Sequence, residues 1–161
     1  MVRAFEIDND CEMSAELFWS LRGDTNFDAF YARLDKQWYT LQEEDASEGK
    51  DGKIISRDFK LVMEDNPVPR PLRPLLPKNL VVKEFAFRVK CKFHTDHFDE
   101  AHPYEYTTIL PVMTERVLVD GIQWAEPVTA TMCRLRARIN VTVHLGPLSA
   151  ALERTIESEM R

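Results

Sequence analysis

The feature that most constrains the fold is a strict alternation of side chains near the end of the chain. Between residues 129 and 143, arginines and other polar residues alternate with apolar or small ones. The apolar set is Thr131, Cys133, Leu135, Ala137, Ile139, Val141 and Val143, and the polar set includes Arg134, Arg136 and Arg138. Alternation of this length predicts a β-strand with one buried face and one face in water. We expect the arginines to pair with acidic residues of a neighbouring strand or helix, with phosphate binding as the alternative.

A helix is predicted directly after this strand. Gly146 allows a sharp turn, and Pro147 suits the first position of a helix. Apolar or small residues then recur at helical spacing, at Leu148, Ala151, Leu152, Thr155, Ile156 and Met160. We expect this stripe to pack on the sheet.

The preceding residues predict strands and two short helices. A weak alternation over residues 2–7 predicts the first strand. The first helix is predicted from the N-cap Ser14 to Gly23. Thr25 and Asp28 loosely resemble a capping box, which places the start of the second helix near Thr25, with its apolar stripe in contact with the sheet. That stripe is Phe27, Phe30, Tyr31 and Leu34. Further strands are predicted over residues 38–43, 55–63, 81–93, 104–110 and 115–119, with a hairpin loop over 44–52 and a turn at Asp120-Gly121.

Composition limits the class of protein. A chain of 161 residues predicts a single domain, 1–161. The net charge of −6 argues against a nucleic-acid partner, because phosphate binding needs a basic surface. Cys11, Cys91 and Cys133 lack metal-type spacing and predict free thiols in a reducing compartment. With no secretory leader and no apolar run of ~18 residues, the sequence predicts a cytoplasmic protein.

The order of elements carries a resemblance to a known family. The predicted chain resembles the START-like, helix-grip (SRPBCC) superfamily in having one strand, two helices, about six more strands and a long helix. This superfamily includes birch-pollen-allergen-like proteins, polyketide cyclases and lipid-transfer START domains. The local stretches are Phe18-Trp19-Ser20-Leu21-Arg22, residues 133–143, and Gly146-Pro147-Leu148 with Leu152-Glu153 and Ile156. The resemblance implies an α+β fold in which a curved antiparallel sheet wraps around the C-terminal helix. It also implies an internal cavity that binds a hydrophobic small molecule, such as a lipid or sterol, for transfer or sensing.

The apolar alternation gives the candidate cavity residues. They are Phe85, Phe87, Val89, Tyr106, Leu135, Ala137, Ile139, Val141, Leu148, Leu152 and Ile156. The same pattern fits a solid core, in which case the chain is a protein-interaction module. A polyketide-cyclase-like or hydrolase enzyme on this fold is a further alternative, with Arg57, Tyr106 and His144 as the acid/base candidates near a buried face. Because no nucleophile or nucleotide-binding motif occurs, no catalytic residue and no cofactor is predicted.

A proline-rich segment, residues 67–78, interrupts the strand pattern. Proline cannot donate to a strand ladder, so we predict an ordered crossing outside the sheet. Its leucines and cations form a candidate membrane-touching segment, Arg70, Leu72, Arg73, Leu75, Leu76 and Lys78. The spacing of Pro71, Pro74 and Pro77 also matches a polyproline II ligand, which is the third interpretation.

Three histidines lie close together before the strand at 104–110. His94, His97 and His102 are interspersed with Asp96, Asp99 and Glu100. Such a set is chemically able to hold a transition metal, but its spacing matches no known metal motif. We interpret it as a solvated hairpin loop and predict no metal.

Overall fold

A computed structural model describes residues 2–65, 85–110 and 117–144. They form one seven-stranded antiparallel sheet with two helices. The helices are α1 (Ala15–Arg22) and α2 (Thr25–Leu34), both between β1 and β2. Across the sheet the order is β1 (Val2–Cys11), β7 (Met132–Val143), β6 (Val117–Thr129), β5 (Tyr104–Ile109), β4 (Phe85–His94), β3 (Gly52–Met63) and β2 (Gln37–Gly49). The first and last described strands therefore lie side by side. Every other pair of neighbouring strands is consecutive in the chain. This is the predicted α+β arrangement of sheet and short helices; the predicted C-terminal helix and the segment 67–78 lie outside the described residues.

Alternation divides the sheet into two faces. We call the face on which α1 packs the inner face and the opposite one the outer face. Leu135 pairs with Ala125 on the inner face, whereas Arg134 and Arg136 point outward. Arg134 contacts Asp10 at 2.8 Å, and Arg136 contacts Glu126 at 3.1 Å. The predicted pairing of these arginines with acids of neighbouring strands is confirmed.

Two apolar clusters lie on the inner face. The first is beneath α1 and includes Phe18 and Trp19. The second, at the other end of β6 and β7, includes Phe5, Ile139 and Val141. No helix within the described residues is long and apolar enough to cross a bilayer.

The helix caps agree in part with the sequence. Ser14 caps α1 by accepting a hydrogen bond from the Leu17 backbone N–H at 3.2 Å, as predicted. Asp24, rather than Thr25, caps α2 and accepts from the Asn26 N–H at 2.8 Å. Asp24 satisfies one of the free N–H groups at the start of the helix, so the predicted start at Thr25 is correct but its capping role is wrong.

The predicted buried stripe of α2 holds only at Phe27, which packs against the cluster beneath α1. Phe30, Tyr31 and Leu34 are 61%, 55% and 63% exposed, and Ala32 is the buried residue of this helix. Helix α2 packs mainly against β2, the edge strand of the sheet. A helix over an edge strand has too little sheet beneath it to cover a four-residue stripe.

Two predicted turns are also wrong. Strand β2 continues to Gly49, and the chain reverses at Lys50 and Asp51 instead of looping over 44–52. Gly52 has φ of 114° after this reversal, a conformation that favours glycine. Strand β6 runs straight through Asp120 and Gly121. A Cβ at Gly121 would lie 2.8 Å from the Tyr106 hydroxyl, so close packing against a ring, not a turn, requires glycine there.

The ends of strands β1, β6 and β7 also differ from the predicted ones. Strand β1 extends to Cys11, beyond the predicted end at residue 7. Thr129 ends β6, and β7 begins at Met132, because a short turn at residues 130–131 separates the two strands.

Candidate functional site

A pocket of about 230 Å³ opens between the two helices and the inner face of the sheet. Helices α1 and α2 form one wall, and strands β2, β3, β5, β6 and β7 form the other. Its lining residues are Phe18, Arg22, Phe27, Asp28, Tyr31, Ala32, Asp35, Gln37, Tyr39, Phe59, Leu61, Tyr104, Gln123 and Leu135. The wall is mostly aromatic and aliphatic, with a small number of polar groups converging on it, which is the usual make-up of a small-molecule site.

Arg22 is the first of these polar groups. It closes α1 and donates from its Nη2 to the Gln123 side-chain carbonyl on β6. Its guanidinium lies over the Tyr104 ring, 4.5 Å from the centroid, and near the Phe18 ring. The Nε of Arg22 is buried and has no hydrogen-bond partner among the described residues. An unused donor therefore lies in the pocket wall.

Arg57 anchors the junction of the two helices to the sheet. Its side chain is only 1% exposed. It donates to the backbone carbonyls of Arg22 and Gly23 at 2.7 Å and 2.6 Å, to Asp28 at 2.8 Å and to Glu44. Without it, the two carbonyls and Asp28 would face the sheet without this donor, so this one guanidinium fixes where α1 ends and α2 begins.

Asp28 is one of two carboxyl groups in the pocket wall, with Asp35. Burial raises the pKa of Asp28, against the opposing charges of Arg22 and Arg57, which lower it. Since the net direction is upward, this carboxyl holds a proton more readily than an exposed aspartate does.

Tyr39 and Tyr104 add two phenols to the same wall. Burial raises the pKa of both, and the charge of Asp28 adds to the effect at Tyr39. Each hydroxyl therefore stays protonated at neutral pH. The Tyr39 hydroxyl is buried without a hydrogen-bond partner among the described residues. It is the second polar atom in the wall with an unmet hydrogen bond.

The predicted cavity residues are distributed over both apolar clusters. Leu135 lines the pocket, and Phe87, Val89 and Tyr106 lie in or against the cluster beneath α1. The residues in or against the second cluster are Ala137, Ile139 and Val141. Phe85 is half-buried at the start of β4, and Leu148, Leu152 and Ile156 lie outside the described residues. Their contact with a ligand stays a prediction.

The acid/base candidates of the sequence are not brought together. Arg57 is occupied by the four acceptors described above. Tyr106 lies against Gly121, and burial raises its pKa to about 12. His144 is exposed beyond the end of β7. No hydrogen bond or ion pair within the described part of the chain joins any two of the three, although Arg57 and Tyr106 share the inner face.

Sequence reasoning missed the polar groups that do converge, Arg22, Asp28, Tyr39 and Gln123. Arg22 and Asp28 looked like ordinary residues of short helices. One signal pointed to them: Arg57 occupies the apolar face of an alternating strand, between Ile55 and Phe59. A cation in that position must be met by a buried anion or carbonyl from an element packed above it.

A second recess, of about 410 Å³, lies on the outer face between β4, β5, β6 and β7. Its walls include Lys90, Lys92, Asp120 and Asn140. The Asn140 side-chain amide donates to Asp120 at 3.0 Å, so these two side chains satisfy each other. Although larger, this recess faces solvent and buries little apolar surface, so the inner pocket is the better candidate for a ligand.

Comparison with known proteins identifies the fold. No family model matches the sequence, and no curated protein matches it. The structure is similar to the aromatase/cyclase Zhui from Streptomyces sp. R1128, with 14% identity, a TM-score of 0.57 and coverage of 98% of this chain and 86% of that one. A protein from Thermus thermophilus has 10% identity, a TM-score of 0.56 and the same coverage of 98% and 86%.

A third solved structure, Ara h 8.0201, has 16% identity and a TM-score of 0.51 over 99% of this chain and 90% of that one. Identities this low establish the fold and not the activity. The predicted resemblance to the START-like, helix-grip superfamily is confirmed as a likeness of fold: the chain shares the fold of these solved structures.

Proposed function

We propose that this protein binds a hydrophobic small molecule, lipid-like or sterol-like, in the inner pocket and carries or senses it. The observation that carries the proposal is the pair of buried polar atoms without partners among the described residues, Arg22 Nε and the Tyr39 hydroxyl, in an otherwise largely apolar wall. A buried donor left unsatisfied costs about 1–3 kcal/mol. A ligand oxygen that accepts from these groups would recover that cost.

The composition of the wall defines the chemistry of the ligand. Phe59, Leu61 and Leu135 offer surface for an apolar body, whereas Arg22 and Tyr39 favour a polar end that accepts hydrogen bonds. The described volume of about 230 Å³ is below the ~300–1,000 Å³ usual for ligand pockets. We therefore expect a compact ligand, or one end of a longer one, with a carbonyl, hydroxyl or carboxylate at that end.

A second candidate function is catalysis of a proton transfer, as in a cyclase. One observation favours it: Asp28, with a raised pKa, shares the pocket with the protonated Tyr39 phenol. A carboxyl that holds its proton more tightly than usual is a candidate general acid or base. Asp28→Asn would abolish turnover but leave binding of the ligand intact, whereas a pure binding protein would show no turnover with either residue.

The test combines ligand identification with a blocked pocket. Native mass spectrometry of tag-free protein is expected to show a co-purified small molecule that organic extraction removes. Leu135→Trp places a larger side chain in the pocket, and Leu118→Trp makes the same change on the outer face. We expect Leu135→Trp to lose the bound molecule and Leu118→Trp to keep it.

An apolar fluorescent probe supplies the quantitative measurement. The probe should bind the delipidated protein, and Tyr39→Phe should weaken a probe with a carboxylate more than one without a polar end. Equal binding of both probes to the wild type and to Leu135→Trp would contradict the proposal.

A further inference from the structure

A cluster of metal-ligating side chains lies outside the pocket, in the loop between β4 and β5. His97, Asp99 and His102 each place one ligand atom so that all three atoms lie within 4.8 Å of one another. The His97 and His102 rings are stacked, with centroids 4.7 Å apart. In a tetrahedral site with metal–ligand bonds of 2.0–2.2 Å, ligand atoms are about 3.4 Å apart. Small side-chain rotations would therefore bring the three atoms to bonding geometry.

The loop that carries this cluster is fixed at several points. The Trp19 indole donates to the His94 carbonyl at 2.7 Å, just before the cluster. The Thr95 N–H donates to the Lys53 carbonyl at 3.0 Å, and the Ala125 N–H donates to the Phe98 carbonyl at 2.8 Å. These bonds tie the loop to α1, β3 and β6 on either side of His97. Ligands on a braced loop lose less freedom on binding than ligands on a free one.

Asp99 is oriented by its own loop. One of its carboxylate oxygens, Oδ1, accepts from the backbone N–H groups of Ala101 and His102 at 2.9 Å and 3.0 Å and contacts His102 Nδ1 at 3.0 Å. The other oxygen has none of these bonds and is available to a cation. On the far side of His102, Asp51 Oδ2 lies 3.8 Å from Nε2. This distance is too long for a hydrogen bond, so Asp51 is a nearby carboxylate and not a bonded partner of the ring.

The imidazoles of His94 and His97 have nitrogens that make no hydrogen bond to a described residue. Neither ring nitrogen of His97 hydrogen-bonds to a described residue, and the buried Nδ1 of His94 also has no partner among the described residues. The His94 and His102 ring centroids are 5.1 Å apart. The loop therefore gathers more imidazole donors than its own hydrogen bonds consume.

We propose that His97, Asp99 and His102 bind a divalent transition-metal ion of the Zn²⁺ class. Two imidazoles and one carboxylate suit Zn²⁺, Ni²⁺ or Cu²⁺ and not the harder ions Mg²⁺ and Ca²⁺, which prefer all-oxygen sites. Three protein ligands leave the fourth position to water. In this proposal the loop is not purely solvated but closes around a bound ion.

Titration calorimetry of tag-free, metal-stripped protein with ZnCl₂ tests the site. We expect one equivalent of Zn²⁺ to bind and MgCl₂ not to compete. His97→Ala and His102→Ala should each weaken binding at least tenfold, because loss of an outer-sphere partner alone typically costs about 10–100-fold. His144→Ala, which removes the histidine at the end of β7, is the matched control and should bind like the wild type.

Cobalt substitution gives a second readout that is independent of stability. Co²⁺ bound to the wild type should give visible d–d bands with nitrogen and oxygen ligation, and these bands should be lost in His102→Ala.

Cys11 and Cys133 face each other across β1 and β7, so Cys11→Ser tests whether thiols bind the ion instead. Absence of one-equivalent Zn²⁺ binding, or its loss in Cys11→Ser or His144→Ala, would overturn the proposal. Circular dichroism confirms that each variant is folded.

Discussion

Replacing Arg57 with methionine removes the cation that joins the two helices to the sheet. The guanidinium is 1% exposed, and Asp28, the more buried of its two anionic partners, is 12% exposed at the side chain. Methionine fills a similar volume without a charge or a donor, so Asp28 and the carbonyls of Arg22 and Gly23 lose their partner. Arg57→Met therefore separates the contribution of the polar network from that of packing.

The expected loss in the free energy of unfolding is about 3–5 kcal/mol, the usual cost of removing one partner from a buried ion pair. The two carbonyls account for about 1–3 kcal/mol each if they stay buried, and burial of the methionine side chain returns about 1.5–3 kcal/mol. Glu44 is 39% exposed, so it regains water and adds little. The control is Arg134→Met, whose pair with Asp10 is exposed at both ends and contributes below ~1 kcal/mol.

The pH dependence of the stability loss in Arg57→Met tests whether the Asp28 carboxylate causes it. Burial raises the pKa of Asp28 above its ordinary value, although Arg22 and Arg57 oppose the shift. The stability contributed by this protonated carboxyl is present below the pKa of the unfolded chain and is lost as pH rises through the folded pKa. Without Arg57 the pKa rises further, and the ionised carboxylate is more costly at neutral pH. The deficit of Arg57→Met should therefore shrink as the pH falls from ~7 to ~5.

Urea titration followed by tryptophan fluorescence at several pH values measures this deficit. A loss similar to that of Arg134→Met would show that the network contributes no more than a surface pair. A large loss that does not change with pH would exclude the uncompensated Asp28 carboxylate as its cause.

Three further changes test other parts of the structure. Gly121→Ala places a Cβ 2.7 Å from the Arg138 carbonyl and 2.8 Å from the Tyr106 hydroxyl, so we expect a loss of about 1–3 kcal/mol in urea titration, and no change would exclude this close packing. Trp19→Phe leaves the His94 carbonyl without its 2.7 Å donor and should lower stability by about 1–3 kcal/mol; a neutral result would mean that water replaces the indole. Tyr39→Phe removes a buried hydroxyl that has no partner among the described residues and should leave the ligand-free protein as stable or up to about 1 kcal/mol more stable, whereas destabilisation would show that the hydroxyl has a partner.

The sheet was predictable because each strand follows a short-range rule. Period-two alternation identified β4 and β7, and their buried positions, such as Val89 and Ile139, are where it put them. The wrong predictions concern residues whose local preference conflicts with tertiary packing. Asp120-Gly121 has the composition of a turn, but Gly121 is there because the Tyr106 ring passes close to it. Single-sequence reasoning has no access to a neighbour that is distant in the chain.

The polar part of the pocket was less predictable for the same reason. Arg22 and Gln123 are 101 residues apart in sequence, and Asp28 meets Arg57 across 29 residues. Their convergence depends on how α1 and α2 sit on the sheet, which no local pattern encodes. The exposed stripe Phe30, Tyr31 and Leu34 shows the complementary failure, because helical spacing predicts an apolar face but does not say what lies beneath it.

Apart from the His94 Nδ1, unpaired among the described residues, the departures from simple folding rules discussed above are concentrated at one place in the structure. Arg57 lies in an apolar strand face, Arg22 Nε and the Tyr39 hydroxyl lack partners among the described residues, and Asp28 is a buried carboxyl with a raised pKa. All of them adjoin the junction of α1 and α2, which forms the wall of the inner pocket. A sequence selected for stability alone would replace such groups with apolar ones, because unmet buried hydrogen bonds are costly. Residues that break local rules together, in a cavity, are expected where a ligand completes the structure. This concentration favours a binding pocket over a solid core.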